Sequence, residues 1–115
     1  MNTTELIQEI QAVSQSQRKF RSEKSPIDAR FNEIEDKLGI DYGQLTGKSK
    51  PEEVVEARHI MMYLMRKVDL MTFKAVGKVF NRDHSSVIHA VKRVENAQAA
   101  RDFKLIPKLK LFGIC

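Results

Sequence analysis

The chain has 115 residues, a length that fits one compact domain and excludes a Rossmann or barrel enzyme with a separate substrate domain. Hydrophobic residues make up 42% of it, which is enough to form a core without disulfide or metal support. The formal net charge of +5 favours polyanionic partners, so phosphate-rich ligands rank first among the candidates.

Cysteine usage and hydropathy bear on the cellular compartment. The only cysteine is Cys115, so no intrachain disulfide can form and nothing indicates an oxidising environment. The longest apolar run, residues 60–65, is far shorter than the roughly 20 residues that a membrane span needs, and residues 1–5 lack the features of a secretion signal. We therefore expect a cytoplasmic protein.

Residues 1–25 are predicted to form an arm and linker ahead of the main domain, which we place at residues 26–96. Apolar residues at helical spacing indicate a short helix near the start, and a stretch rich in Gln and Ser follows it. A docking helix and a frayed extension are equally compatible with this pattern, and both stay open.

The segment 26–38 is predicted to be the first helix of the domain. Ser25 followed by Pro26 is typical of a helix start, and Gly39 stands where a left-handed C-cap is needed. The apolar positions of one face repeat at intervals of three and four residues; they are Ile27, Phe31, Ile34 and Leu38.

A short turn, a basic loop and a long helix follow. Residues 42–45 can form one turn, and the polar, basic stretch 46–50 ends at Pro51, which we place at the first position of the next helix. That helix is predicted near 52–68 and is the central core helix, with methionines that fill gaps. Its buried stripe comprises Val54, Ala57, Met61, Leu64 and Val68.

Two further helices are predicted to form a helix-turn-helix. Thr72 can cap a short helix over 72–80, in which Gly77 permits a close backbone approach. Asn81 can adopt a left-handed turn, and Asp83 can cap a fourth helix that buries Val87, Val91 and Val94. Such a second helix typically enters the major groove of DNA. Apart from residues 104–112 in the tail, no segment shows the alternation of apolar and polar residues that is typical of a strand. The predicted fold class is therefore all-α, a small helical bundle.

The outward face of the fourth helix is polar, small and cationic. At about 100° per residue, Ser85, His89, Lys92 and Asn96 lie opposite the buried valines. Hydroxyls allow close approach to a groove, and His or Lys can donate to bases or phosphates. Any exposed helix carries such residues, so spacing alone leaves both interpretations open.

Residues 81–90 read NRDHSSVIHA and closely resemble the motif of the C-terminal DNA-binding domain of the bacterial replication initiator DnaA. The resemblance extends through LTGKSK at 45–50 and VEARHIMMYL at 55–64, and it covers about residues 26–96. It implies a domain that binds initiator-type boxes in double-stranded DNA. The ATPase module that precedes this domain in the full initiator has no counterpart here, so we expect a stand-alone domain with no enzymatic activity, cofactor or metal.

The resemblance also implies roles for individual residues. Asp83, His84 and Ser85 are expected to read bases in the major groove, and Lys50 stands where the family inserts an arginine into the minor groove. The positions implied to hold phosphates or support the base contacts are Arg58, His59, Arg66, Arg82, Ser86 and His89. Lys48, Lys74 and Lys92 complete the candidate interface as further cations. The turn before Arg82 is one residue shorter than the usual form, so we expect docking to differ slightly.

Three other chemistries fail on spacing. Asp83, His84 and Ser85 spell a hydrolase triad, but neighbours on a helix diverge by about 100° and cannot align. His84 and His89 are too far apart around a helix for a zinc site and lack a cysteine pair. The segment 43–49 resembles a phosphate loop with one residue too few, so ATP binding is not expected. For His84, the alternative to base reading is a residue at the helix start that packs against the core.

The tail, residues 97–115, interleaves apolar residues with lysines around Pro107. The proline argues against one continuous amphipathic helix there. Packing on the domain or on a second copy is the favoured interpretation, and membrane or partner docking is the alternative.

The rival function is a protein-interaction module of the same fold that has lost DNA affinity and binds a partner through the arm and tail. Retention of Arg82, Asp83, His84 and the basic loop argues against it. Replication control and transcription regulation both stay open for a DNA-binding protein.

Overall fold

The computed structural model describes residues 25–114, which form six helices and no strand within that range. The helices are α1 (Pro26–Leu38), α2 (Tyr42–Thr46), α3 (Glu52–Lys67), α4 (Phe73–Phe80), α5 (His84–Ala100) and α6 (Ile106–Leu111). The predicted all-α fold with a helix-turn-helix is confirmed. The predicted arm, apart from Ser25, lies outside the described residues.

Helix α1 begins and ends where the sequence predicts. The Ser25 hydroxyl oxygen accepts a 3.1 Å hydrogen bond from the Asp28 N–H, and Pro26 occupies the first helical position. At the other end Gly39 adopts a φ of 73° and its N–H donates to the Glu35 carbonyl. Both signals are local, since each depends on residues within a few positions, so the sequence alone is enough to predict them.

Helix α3 lies at the centre of the fold and packs against α5 and α1, with α2 and α4 on its flanks. Its buried apolar side chains are Val54, Ala57, Ile60, Met61, Met62, Leu64 and Met65. Burial of one large apolar side chain contributes roughly 1.5–3 kcal/mol relative to leaving it exposed. The core between α3 and α5 therefore supplies much of the stability and fixes the position of α5.

Both ends of α3 differ slightly from the prediction. Pro51 is the N-cap rather than the first helical residue, because its ψ of 145° is extended. Val68, predicted to be buried, is 58% exposed. The helix ends at Lys67, and the chain then turns through Leu70, whose φ is 60°. Val68 therefore lies beyond the part of the helix that faces the core.

The helix-turn-helix comprises α4, a short turn and α5. The Thr72 hydroxyl oxygen accepts from the Ala75 N–H, and Asn81 ends α4 in the left-handed conformation with a φ of 55°. Gly77 lies so close to the turn that a Cβ there would be 2.6 Å from the Arg82 carbonyl oxygen. The predicted caps and the predicted close approach at Gly77 are confirmed, and the absence of a side chain at Gly77 allows the two helices to meet.

The tail packs on the domain through its own short helix. Leu105 and Leu109 are buried in the shared core, and the Lys108 ammonium pairs with the Glu56 carboxylate at 2.5 Å. The strand-like alternation of residues 104–112 is misleading, since α6 forms there. Pro107 lies in the first turn of α6, where a backbone N–H has no helical partner to lose. As predicted, the tail is not one continuous helix.

Helix α5 continues past residue 96 to Ala100, and α6 lies wholly beyond that residue, so the division of the chain at residue 96 stays a prediction. None of the helices in residues 25–114 has the length and apolar character needed to cross a membrane.

Candidate nucleic-acid interface

The N-terminal end of α5 presents three polar side chains to solvent. Asp83, His84 and Ser85 are all exposed, with 60% of the His84 side chain accessible. The alternative in which His84 packs on the core is therefore wrong. One Asp83 carboxylate oxygen accepts from the Ser85 N–H at 3.4 Å and from the Ser85 hydroxyl at 2.5 Å. These hydrogen bonds lower the pKa of Asp83, so it is an ionised acceptor at neutral pH.

The exposed face continues along α5. Ser86, His89, Lys92 and Asn96 are accessible, whereas Val87 and Ala90 between them are buried. The predicted outward stripe of α5 is confirmed. It forms a polar ridge of small hydroxyl groups followed by an imidazole and an ammonium group, and its width and chemistry suit a DNA groove and its phosphates.

The basic loop, predicted over residues 46–50, spans residues 47–50, because Thr46 is the last residue of α2. It links α2 to α3. Lys48 and Lys50 are exposed, and no described residue forms an ion pair or hydrogen bond with either ammonium group. Helix α2 before the loop is a defined element, because the Asp41 and Gln44 side chains form a reciprocal capping box. That spacing is a sequence signal that could have predicted a helix rather than one turn.

Arg58 lies beneath the basic loop with 6% of its surface exposed. Its Nε donates to the Leu45 carbonyl at 2.8 Å, and its Nη2 donates to the carbonyls of Gln44 at 3.1 Å and Ser49 at 3.2 Å. Burial, and secondarily the charge of Arg82, lower the pKa of Arg58. The residue predicted to meet a DNA phosphate thus directs its guanidinium at the backbone of its own loop.

Arg82 makes similar contacts from the opposite side. Its Nη2 donates to the Gly47 carbonyl at 2.7 Å, and its Nη1 donates to the Phe80 carbonyl at 3.1 Å. Arg58 Nη2 lies 3.5 Å from the same Gly47 oxygen. The carbonyl of Gly47 is therefore a shared acceptor that sequence reasoning missed, and no pattern of residue types marks it.

A shallow depression between α3 and α5 brings five of the predicted site residues together. Its lining comprises Arg58, His59, Met62, Arg82, Ser86 and His89. Burial, followed by the charge of Arg58, lowers the pKa of His59, so the imidazole is neutral at neutral pH. A hydroxyl and two imidazoles at one opening, with the positive charges of Arg58 and Arg82 beside them, form a site of suitable chemistry for a phosphate group.

Two predicted residues lie apart from this depression. Arg66, near the C-terminal end of α3, stacks over the Phe73 ring at 4.6 Å and donates to the Met71 carbonyl at 3.4 Å. Lys74 is exposed in the first turn of α4. Arg66 is therefore partly engaged within the fold, whereas Lys74 is accessible at the start of the helix before the turn.

Comparison with known proteins gives a consistent result. The family described as "Bacterial dnaA protein helix-turn-helix" matches residues 31–94, from within α1 to within α5. Several curated relatives share the name "Chromosomal replication initiator protein DnaA". The relative from Chlorobaculum tepidum is 42% identical over 64 residues, which is 55% of this chain and 13% of the relative.

Two other relatives show the same relationship. The protein of Mycoplasma capricolum is 36% identical over 63 residues, which is 54% of this chain and 14% of the relative. The protein of Thermus thermophilus is 31% identical over 74 residues, which is 64% of this chain and 17% of the relative. The chain thus spans less than a fifth of the length of the curated relatives that it matches.

Proposed function

The chain belongs to the family of bacterial DnaA helix-turn-helix DNA-binding domains, and from that premise we propose that it binds double-stranded DNA sequence-specifically at initiator-type boxes. The observation that carries the proposal is the exposed N-terminal end of α5. Base-reading groups stand there at the start of a helix, next to the cationic depression and the basic loop.

In this proposal α5 enters the major groove with its first turn leading. The other Asp83 oxygen lies 3.4 Å from His84 Nδ1 and is exposed, and in this proposal it accepts from a cytosine amino group. His84 and Ser85 are accessible to base edges, and the short side chain of Ser85 permits close approach at the helix start. Specificity is assigned to these three residues.

The phosphate backbone is assigned to the surrounding residues. Ser86, His89 and His59 hold one phosphate at the depression, and Lys92 reaches another further along α5. The basic loop delivers Lys50 to the minor groove and Lys48 to the adjacent backbone, and Lys74 of α4 and Arg66 of α3 are assigned to further phosphates. Contacts of this kind position the protein but do not read sequence.

The rival proposal, a protein-interaction module, draws its main support from the apolar tail. Leu105 and Leu109 are buried in the domain's own core, so they cannot anchor a partner. Phe103 and Leu111 of the tail are 83% and 49% exposed, but scattered exposed apolar residues are ordinary on a protein surface. This observation favours DNA over a protein as the partner.

The experiment is a binding titration of the full chain against a duplex that carries a DnaA box and a scrambled duplex of equal composition. Base contacts of about 1 to 3 kcal/mol each predict at least about tenfold tighter binding to the box. A salt series on both duplexes should show a steep loss of affinity, because binding releases counterions from the phosphates. Equal affinity for the two duplexes contradicts specificity, and binding to neither duplex contradicts the function.

The biological role follows from whether the box is shared with a full-length initiator. A protein that occupies the same sites can act in replication control, as a competitor for those sites, or as a transcription regulator. These roles require that the protein binds the box duplex more tightly than the scrambled duplex.

A further inference from the structure

We propose that Arg58 and Arg82 are positioning residues that clamp the basic loop between α3 and the helix-turn-helix, so that Lys50 and the start of α5 meet DNA as one rigid unit. The part of this proposal that concerns DNA binding rests on the proposed function. The clamp itself can be tested without DNA.

Helix α2 needs an external hydrogen-bond partner at its C-terminal end. It has only five residues, so its last carbonyls have no helical N–H to accept from. Arg58 supplies this partner, since its guanidinium binds the carbonyls of Gln44 and Leu45. The same guanidinium then reaches the Ser49 carbonyl at 3.2 Å, within the basic loop. One side chain of α3 thereby fixes both the start and the middle of the connection.

Arg82 links the basic loop to the start of α5. Arg82 immediately precedes Asp83, the cap of α5, and its guanidinium binds the Phe80 and Gly47 carbonyls. The Gly47 carbonyl thus joins the basic loop to the turn of the helix-turn-helix. Movement of the loop would be transmitted to the start of α5 through this 2.7 Å hydrogen bond.

Arginine is the residue type that this positioning role needs. A guanidinium offers several donors in one planar fork, whereas an ammonium group is a compact point charge without that geometry. The contacts of Arg58 involve carbonyls that lie in different directions, and with 6% exposure little of the side chain is left for solvent or DNA. Lysine in place of Arg58 would keep the charge and lose the clamp, which separates the two roles experimentally.

The first experiment uses limited trypsin digestion of the full chain without DNA. Trypsin can cleave after Lys48, whereas Lys50 is protected by the following Pro51. We expect Arg58→Lys to be cleaved after Lys48 several-fold faster than the wild type, measured against cleavage at Arg101 in the same digest. The matched control is Arg30→Lys, since Arg30 is also partly buried but pairs with Asp69 and Glu33. Equal rates after Lys48 in Arg58→Lys and the wild type would overturn the clamp.

The second experiment measures how Arg58 and Lys50 are coupled in DNA binding. If Arg58 acts through the loop, Lys50→Ala weakens binding to the box in the wild type but has little further effect in Arg58→Lys. If Arg58 instead contacts a phosphate itself, Arg58→Lys retains most of the affinity and Lys50→Ala costs the same in both backgrounds. That second result would overturn the proposal.

A second variant guards against loss of folding. Arg82→Lys breaks the links to Gly47 and Phe80 but leaves Arg58 in place, and it should also speed cleavage after Lys48. If Arg58→Lys is unfolded by circular dichroism, Arg82→Lys decides the outcome, and unchanged cleavage in Arg82→Lys overturns the proposal. If the wild type does not bind the box, the proposed function fails, whereas the digestion still tests the clamp.

Discussion

The start of α5 and the region beneath the basic loop are both rich in charge, yet they use it in opposite ways. At the start of α5 the side chains of Asp83, His84 and Ser85 face solvent. Beneath the loop the guanidinium groups of Arg58 and Arg82 face the carbonyls of the chain itself. The difference shows that a basic or polar sequence pattern does not tell which side chains touch a ligand and which hold other groups in place.

The two regions should also differ in what their residues contribute to the free energy of unfolding. A hydrogen bond to a charged group contributes about 1.5–3 kcal/mol, and an unsatisfied buried carbonyl costs a similar amount. An exposed side chain such as His84 has no comparable role in the folded state. Substitutions beneath the loop should therefore lower the free energy of unfolding, whereas substitution of His84 should lower specificity for DNA sequence.

The largest expected effect is on stability, from Arg58→Ala. We expect the free energy of unfolding to fall by about 2 to 3 kcal/mol, because the carbonyls of α2 and the loop lose their donor. His84→Ala, the matched change on the exposed side, should alter it by less than about 0.5 kcal/mol. Urea unfolding followed by circular dichroism measures both. Equal stability of the two variants would remove the distinction between the regions.

The next effect concerns the angle between α4 and α5. In Gly77→Ala the new Cβ would meet the Arg82 carbonyl oxygen at 2.6 Å, so the turn must shift. We expect a loss of about 1 to 2 kcal/mol in the free energy of unfolding, together with weaker binding to the box. The control is Gly43→Ala in α2, where the nearest atom to a Cβ lies at 3.5 Å. A stable Gly77→Ala with full affinity would show that the close approach is not needed.

A comparable effect on DNA binding alone is expected from His84→Ala. Its loss should cost about 1 to 2 kcal/mol on the preferred box and little on other duplexes, because it reads bases. Lys92→Ala, further along the same face, should weaken all duplexes alike and lower the salt slope by about one. Binding titrations over a set of box variants and salt concentrations compare the two. Uniform weakening by both variants would mean that α5 is only an electrostatic patch.

The smallest effect is a pH dependence of stability that arises at His59. Burial and the charge of Arg58 lower the pKa of His59 below its ordinary value of 6.5, so the unfolded chain binds this proton more readily than the folded one. Above pH 6.5 the imidazole is neutral in both states and does not reduce the free energy of unfolding. Below that pH the unfolded chain takes up the proton first, so the free energy of unfolding falls. Urea unfolding at several pH values should show a shallower decline in His59→Gln than in the wild type. An identical decline in the free energy of unfolding in both proteins would contradict the assignment of this pH dependence to His59.

The sequence predicts those elements whose signals are local. Helix α1 and the helix-turn-helix begin and end at Ser25, Gly39, Thr72, Asn81 and Asp83, and each cap acts on residues only a few positions away. The exposed stripe of α5 follows from helical periodicity together with its buried valines. These features need no knowledge of tertiary contacts.

Other features depend on contacts between distant parts of the chain. Helix α6 forms because Leu105 and Leu109 reach a core made by other helices, which alternation within residues 104–112 cannot show. The donors of Arg58 find acceptors 9 to 14 residues earlier in the chain, at backbone oxygens that every residue possesses. The sequence therefore places Arg58 on the central helix but does not determine which groups its side chain contacts.

The most direct test of the account is a selection from random-sequence duplexes, run in parallel with the wild type, His84→Ala and Lys92→Ala. We predict that the wild type enriches one motif that contains an initiator-type box. His84→Ala should relax that motif at one or two base pairs, and Lys92→Ala should retain the motif with lower recovery. No enriched motif for the wild type, or an unchanged motif for His84→Ala, would contradict the claim that the exposed start of α5 reads DNA sequence.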